Sequence, residues 1–218
     1  MIAKAYKWLY AITSRRDESG EVFGGCIQGA VRDAALEMCK PLNGRILEIG
    51  SGSGLFLMKL ALQNPGSEII GVDIIESLLD RTRSKIESKG IKNITLFVQN
   101  AMSMSFPDNH FDAAVCINFF LDMNIDDTIK ILREMKRIVK SGGRIIFEYR
   151  NSHNLLFRLK YKFARYYDPS APYPLYTYSP EQIDAIIKDL DLAVIRRTSL
   201  GFPIRKFAPI ILIEAEKR

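Results

Sequence analysis

Residues 45–56 read Arg-Ile-Leu-Glu-Ile-Gly-Ser-Gly-Ser-Gly-Leu-Phe, and no other dozen residues restrict the fold as much. The apolar run carrying Ile46, Leu47 and Ile49 has β character. Three alternating glycines, Gly50, Gly52 and Gly54, interrupt it before a helix-like pattern begins. Strand, tight turn and helix N-terminus therefore follow one another. Such a turn leaves bare backbone N–H groups at the end of a sheet, where a ligand can lie against them. An acid, Glu48, stands just ahead of the glycines, and a second, Asp73, closes the next apolar run, Glu68-Ile-Ile-Gly-Val-Asp73.

Strand-like and helix-like stretches alternate from about residue 45 onward, which predicts an α/β fold: a mostly parallel, doubly wound sheet with helices on both faces. Strands are expected near 45–49, 68–73, 94–98, 112–118, 143–149, 192–198 and 208–215, and helices near 53–63, 76–89, 126–139 and 179–190. Ser179-Pro180-Glu181 combines a serine N-cap, a first-turn proline and an early acid. Ser141-Gly142-Gly143 is a stop signal ahead of the fifth strand. Two segments lie outside this alternation. Residues 1–40 look helical, with a break at 15–21. Residues 150–178 form a long connection rich in tyrosine and proline (Tyr161, Tyr166, Tyr167, Tyr173, Tyr176, Tyr178; Pro169, Pro172, Pro174). Long connections at a sheet edge are commonly functional, and the aromatics argue against disorder.

At 218 residues and 47% hydrophobic, the chain suits one well-buried domain. No apolar run approaches the roughly 20 residues that cross a bilayer, and the N-terminus lacks a secretion signal, so a cytoplasmic protein is expected. Cys26, Cys39 and Cys116 show no paired spacing, so neither a disulfide framework nor a metal site is expected. A net charge of +6 permits an acidic substrate, a membrane surface or RNA and requires none of them. Arg150, Arg158, Lys160, Lys162 and Arg165 fall in one stretch without an acid. That stretch reads as a solvated helix face or as a seat for an acidic group or a membrane.

Glycine-rich turns serve several nucleotides, and spacing separates them. A dinucleotide fingerprint needs Gly-x-Gly-x-x-Gly, but here the third glycine comes one residue early and Leu55 stands in its place. A phosphate-binding P-loop needs a Lys-Ser/Thr pair that is absent. What remains is acid-x-Gly-x-Gly-x-Gly from Glu48 to Gly54, followed about 20 residues later by Asp73. A bare glycine triplet also suits a plain strand-to-helix turn. With Asp73 added, the two units resemble the S-adenosylmethionine site of class I methyltransferases.

Further pieces extend the resemblance over about residues 43–150. Phe97-Val-Gln-Asn-Ala-Met102 is similar to the end of the family's third strand, with Asn100 where an acid is usual. Phe106-Pro-Asp-Asn-His-Phe-Asp112 and the run to Asn118 look like its fourth strand. Residues 132–147 look like its next helix, glycine turn and fifth strand. The resemblance implies a seven-stranded sheet with the last strand antiparallel. It implies a cofactor site of Glu48, Gly50, Ser51, Gly52, Gly54, Asp73, Ile74, Asn100, Ala101, Met102 and Asn118. In it the glycine loop passes under the amino-acid part of S-adenosylmethionine, whose α-carboxylate suits backbone N–H groups and whose ammonium suits Glu48. Asp73 takes the ribose hydroxyls, Ile74, Ala101 and Met102 lie against adenine, Asn100 accepts from the adenine amino group, and Asn118 faces the sulfonium. The implied organisation is a single domain over 1–218: an N-terminal helical cap (1–40), a cofactor core (43–150), an aromatic and basic lid (150–178) and the rest of the sheet (179–218).

The acceptor should sit beyond the carboxyl ends of the strands. Methyl transfer is an in-line displacement in which positioning and water exclusion do much of the work, and a base is needed only for an acceptor that carries a proton. His153, after the fifth strand, is the one weak candidate base, against an ordinary loop histidine. His110 lies in a turn, and Cys116 suits buried packing. The fourth strand ends Asn118-Phe119-Phe120, not the Asn/Asp-Pro-Pro-Tyr/Phe of adenine and glutamine N-methyltransferases. Tyr166, Tyr167, Tyr173, Tyr176 and Tyr178, with Phe157 and Phe163, wall an apolar pocket or pack as a lid. Trp8, Leu9 and Ile12, among Lys4 and Lys7, cap the site or touch lipid. The expected function is methyl transfer from S-adenosylmethionine to a small molecule, apolar or acidic, as in the similar ubiquinone/menaquinone C-methyltransferases and natural-product O- and N-methyltransferases. The competing readings are a lipid-like acceptor at a membrane surface, with peripheral membrane contact, and a non-catalytic S-adenosylmethionine-binding protein. Nucleic acid is disfavoured, since no RNA module accompanies the charge. Acceptor atom and oligomeric state stay open.

Overall fold

The computed structural model describes residues 25–163, 174–201 and 207–218. The expected cap side chains Trp8, Leu9 and Ile12, and Arg165, Tyr166, Tyr167, Pro169, Pro172 and Tyr173 of the expected lid, lie outside the described residues.

Seven strands form one sheet in the order β3-β2-β1-β4-β5-β7-β6. They are β1 (Arg45–Ile49), β2 (Glu68–Asp73), β3 (Ile94–Val98), β4 (Phe111–Cys116), β5 (Val139–Arg150), β6 (Leu192–Leu200) and β7 (Ile210–Lys217). The first five pair in parallel, and β7 runs antiparallel to both β5 and β6. The last strand is thus the antiparallel one, as the resemblance implied. β1 and β4 occupy the middle and are almost wholly buried, so apolar residues fall on both faces instead of alternating with polar ones, with Glu48 a buried exception.

Alternate side chains of these strands feed two cores, one on each face. On one face Leu47, Ile49 and Phe147 meet Ile131, Leu132 and Met135 of α4 (Ile125–Ile138) and Ile183 of α6 (Pro180–Asp189). On the other, Ile46, Ile69 and Val115 meet Val31 of α1 (Gly25–Cys39) and Phe56 and Leu60 of α2 (Leu55–Gln63), with Ile86 of α3 (Glu76–Ser88) at the margin. α4 follows from its sequence in detail. Thr128, Ile131, Leu132, Met135 and Ile138 make its buried stripe, Asn124 caps it by accepting from the Asp127 N–H, and acids lead while Lys136 and Arg137 close it. α6 carries the expected Ser179 cap, completed into a capping box by Gln182.

The structure differs from expectation at the boundaries that matter for the site. α2 begins at Leu55 because Gly54, at φ 75, is its N-cap. β4 ends at Cys116 because Asn118 turns to φ 54. β5 begins at Val139, opposite Phe111, bulges through Gly142 at φ 76 and rejoins with Arg144 opposite Ala113. The Ser-Gly-Gly signal therefore marks a bulge inside a strand. The connection after β5 contains a helix, α5 (Leu155–Lys162), capped by Asn154. Among the described residues, no helix is long and apolar enough to cross a membrane.

Candidate active site

The chain reverses its direction of growth across the sheet between β1 and β4, and such a switch point opens a crevice at the carboxyl ends of the strands. The glycine loop sits there. The N–H groups of Gly50 and Ser51 donate to the Val72 carbonyl at 2.8 and 3.0 Å, and Gly54 donates to the Ser51 carbonyl at 2.7 Å. Two of the glycines are required by space as well as by φ. A Cβ at Gly50 would lie 2.3 Å from the Phe119 ring, and one at Gly54 would lie 2.4 Å from Thr82 Cγ2. At Gly52 a Cβ would meet nothing nearer than the Gly50 carbonyl oxygen at 3.9 Å, so this side of the loop is open for a ligand to cross bare backbone.

Asp73 does more than stand at the strand end. Its Oδ2 accepts the Gly52 N–H at 2.9 Å and its Oδ1 accepts the Ile75 N–H at 2.9 Å. It braces the loop, and each oxygen keeps a lone pair for another donor. The N–H groups of Gly50, Ser51, Gly52 and Gly54 are therefore all spent inside the protein, which corrects the expectation that they stand bare for a ligand carboxylate. From α3, Thr82 donates its hydroxyl to the Gly52 carbonyl at 2.9 Å. Nothing in the sequence marks Thr82, since its role depends on how α3 docks.

Two clefts meet at Gly50. The first, of about 420 Å³, is mainly apolar and is lined by Ile49, Val72, Asp73, Ile74, Asn100, Ala101, Met102, Phe119 and Met123. Ile74 is 66% exposed there, an apolar side chain without an apolar cover. Asn100 is not wholly free to receive a ligand, because its Oδ1 already accepts the Met102 N–H at 2.9 Å. That local turn uses one of the oxygen's two lone pairs.

The second cleft, of about 660 Å³, is polar and is lined by Gln28 and Arg32 of α1 together with Glu48, Ser51, Gly52, Ser53 and Asn118. Glu48 is 3% exposed, and its Oε2 has no hydrogen-bond partner among the described residues. Burial pushes its carboxyl up to about 8, the Ser51 hydrogen bond opposes the rise, and the Asp73 charge adds to it. A buried carboxyl oxygen without a donor calls for one, and a ligand ammonium supplies it. Arg32, itself buried, brings a guanidinium to the same cleft, suited to a ligand carboxylate. Sequence reasoning missed Arg32 and Gln28. Their only signal was a charged and an amide side chain within the helical pattern before residue 40.

Asn118 lines this cleft, and the machinery holding it was not foreseen. Its N–H donates to Glu148 Oε1 at 2.8 Å, and its Oδ1 accepts from Arg150 Nη2 at 3.2 Å. Arg150 is 2% exposed and paired with Glu148 at 2.6 Å. This corrects its expected place on a solvated or lipid-facing basic stretch. β5 carries it into the interior, where a buried anion meets it.

The other expected groups divide. His153 lines neither cleft. Its Nε2 lies 3.4 Å from Glu181 Oε2 on α6, and its backbone N–H donates to Asn151 at 3.0 Å. His110 precedes β4 at the opposite end of the sheet, between Phe106 and Phe111. Cys116 is a buried free thiol held high by burial. Tyr178 is a strut, not a pocket wall: it is buried, and its hydroxyl lies within hydrogen-bond distance of the Phe120 and Met123 carbonyls and of the Thr128 hydroxyl. Phe157 stacks near Tyr161, ring centres 4.8 Å apart. α5 turns Leu155 and Leu156 outward, 63% and 73% exposed, beside an open groove of about 780 Å³ that includes Arg158, Lys162 and Leu175.

Residues 42–191 match the model of a methyltransferase-domain family. Over 128 residues the chain is 34% identical to a demethylmenaquinone methyltransferase of Anoxybacillus flavithermus, covering 57% of this chain and 53% of that protein. Over 152 residues it is 33% identical to a ubiquinone/menaquinone biosynthesis C-methyltransferase of a Shewanella species, covering 67% of this chain and 55% of that one. The chain spans about half the length of the curated relatives it matches. Its fold is similar to that of magnesium protoporphyrin IX methyltransferase from Synechocystis, crystallised with bound SAH. The TM-score is 0.69, over 87% of this chain and 83% of that one, at 17% identity.

Proposed function

The chain belongs to the class I S-adenosylmethionine-dependent methyltransferases, and from that membership we propose that it transfers a methyl group to a small, lipid-like acceptor at the carboxyl edge of its sheet. S-adenosylmethionine is the cofactor. The observation that carries the reading is the pairing of the two clefts. The polar one offers the orphaned Glu48 oxygen and Arg32 to an ammonium and a carboxylate. The apolar one offers Asp73 to ribose hydroxyls and Ile74, Ala101 and Met102 to a flat base. A zwitterion joined to a nucleoside fits that division of labour.

When bound, the cofactor supplies a sulfonium methyl group with a good leaving group behind it. What the chain contributes is binding and orientation. Glu48 and Arg32 would hold the amino-acid end and Asp73 the middle, and Asn118 sits where the polar cleft meets β4. Holding the reacting atoms in line and excluding water supplies much of the acceleration in such a displacement.

Two features support a lipid-like acceptor. The groove beside α5 is flanked by exposed leucines and by cations with no acid on the helix. The similar curated proteins are named for methylating quinones or their precursors. The same helix face suits peripheral contact with an anionic bilayer. Incubation with methyl-tritiated S-adenosylmethionine and a panel of prenylated and unprenylated aromatic acceptors, with and without phosphatidylglycerol vesicles, tests this. Label should pass to a prenylated acceptor and faster with vesicles. Transfer only to water-soluble acceptors, indifferent to vesicles, would contradict it.

A further inference from the structure

Arg150 is the bulkiest side chain among those fully buried in the described residues. It closes β5 at the carboxyl edge, two residues after Glu148 and on the same face. Three groups receive its hydrogen bonds: Glu148 Oε2 at 2.6 Å, the Tyr161 hydroxyl at 3.0 Å and Asn118 Oδ1 at 3.2 Å. The other Glu148 oxygen accepts the Asn118 N–H at 2.8 Å. Asn118 is thus gripped through main chain and side chain by one ion pair, and it is held at φ 54, a region that residues with a Cβ enter at a cost.

Stability alone is a poor reason for this arrangement. Withdrawing both charges from water cancels much of their attraction, and apolar replacements of buried pairs are often as stable. What the pair does achieve is a connection. Asn118 lines the polar cleft beside Glu48 and Gly50. Tyr161 is the buried residue of α5, the helix that turns Leu155 and Leu156 outward along the acceptor-side groove. Arg150 joins the two.

We propose that Arg150 is a positioning residue that couples the seating of α5 to the donor cleft through Tyr161 and Asn118. This rests on the reading of the polar cleft as part of the donor site. With α5 seated, Asn118 is held for the cofactor. With α5 loosened, Asn118 relaxes and the cofactor is bound less well. Coupling of this kind is reciprocal, so cofactor binding must also tighten α5.

Tyr161→Phe keeps the ring and removes only the hydroxyl. It should weaken binding of S-adenosylhomocysteine by about fivefold or more, with no further loss when placed on Asn118→Ala. S-adenosylhomocysteine should slow amide exchange across α5 in the wild type and not in Tyr161→Phe. Arg150→Lys, which keeps the charge but not the fork of donors, should behave as Tyr161→Phe does. If Tyr161→Phe lowers the melting temperature but leaves affinity and the exchange response of α5 unchanged, the network is structural only and the proposal falls. If the wild type does not bind S-adenosylhomocysteine at all, the donor-site reading falls and takes the proposal with it.

Discussion

Two buried glutamates, on neighbouring parts of one sheet, meet burial in different ways. Glu148 has Arg150 and the Asn118 N–H to offset its desolvation. Glu48 Oε2 has no hydrogen-bond partner among the described residues, and burial pushes its carboxyl from the ordinary 4.5 to about 8. It therefore holds a proton at pH 7 in the ligand-free protein. Because the folded value lies above the unfolded one, its contribution to stability is fully present below about pH 4.5 and is lost as pH rises toward 8. A ligand ammonium needs the ionised form, so binding must expel that proton. Affinity for S-adenosylhomocysteine should rise about tenfold per pH unit below pH 8 and level off above it. Calorimetry near pH 7 in buffers of different ionisation enthalpy should show proton release that Glu48→Gln abolishes. Release of the same size in Glu48→Gln would assign it elsewhere. Glu48, the glycines and Asp73 were legible because they lie in one contiguous pattern. Arg32, Thr82 and Arg150 were not, since each reaches the site from a distant element whose docking no local pattern states.

At the scale of elements, the glycine loop is held by close approach. Gly71 in β2 reads as an unremarkable strand residue. A Cβ there would lie 2.6 Å from Ser51 Oγ, 2.8 Å from Leu57 Cδ2 and 2.9 Å from Leu96 Cδ2. Loop, α2 and β3 converge on the space it leaves empty, and only the assembled layers reveal that space. Gly71→Ala should cost about 1–3 kcal/mol by overpacking, read as a lower midpoint in urea with an unchanged slope. It should also weaken S-adenosylhomocysteine binding, because Ser51 is the first group displaced. A fully stable Gly71→Ala protein would mean the loop yields freely. The periodic elements, α4 and α6 above all, were readable from spacing and caps. Their neighbours at the site were less so: α2 starts late at a left-handed glycine, β4 stops early at a left-handed asparagine, and the Ser-Gly-Gly stop is a bulge within β5. Positive φ at Asn118 leaves no signature in composition, and for α5 the charge pattern offered a helix face only as one of two readings, without bounds.

For the molecule as a whole, alternation of patterns implied a doubly wound sheet, while the antiparallel β7 came only through the family resemblance, since periodicity does not encode strand direction. The order β3-β2-β1-β4-β5-β7-β6 puts the switch point between β1 and β4. It brings together a loop from β1, an acid from β2, an arginine from the preceding helix α1 and the tip of β4. The central claim is that this convergence is a donor site for S-adenosylmethionine and not a degenerate dinucleotide loop. The most direct test is calorimetric titration of the chain with S-adenosylhomocysteine and, in parallel, with NAD. Binding of S-adenosylhomocysteine near micromolar strength, about −8 kcal/mol, with no heat from NAD, is the predicted result. Silence with S-adenosylhomocysteine and a clear NAD isotherm would contradict the account.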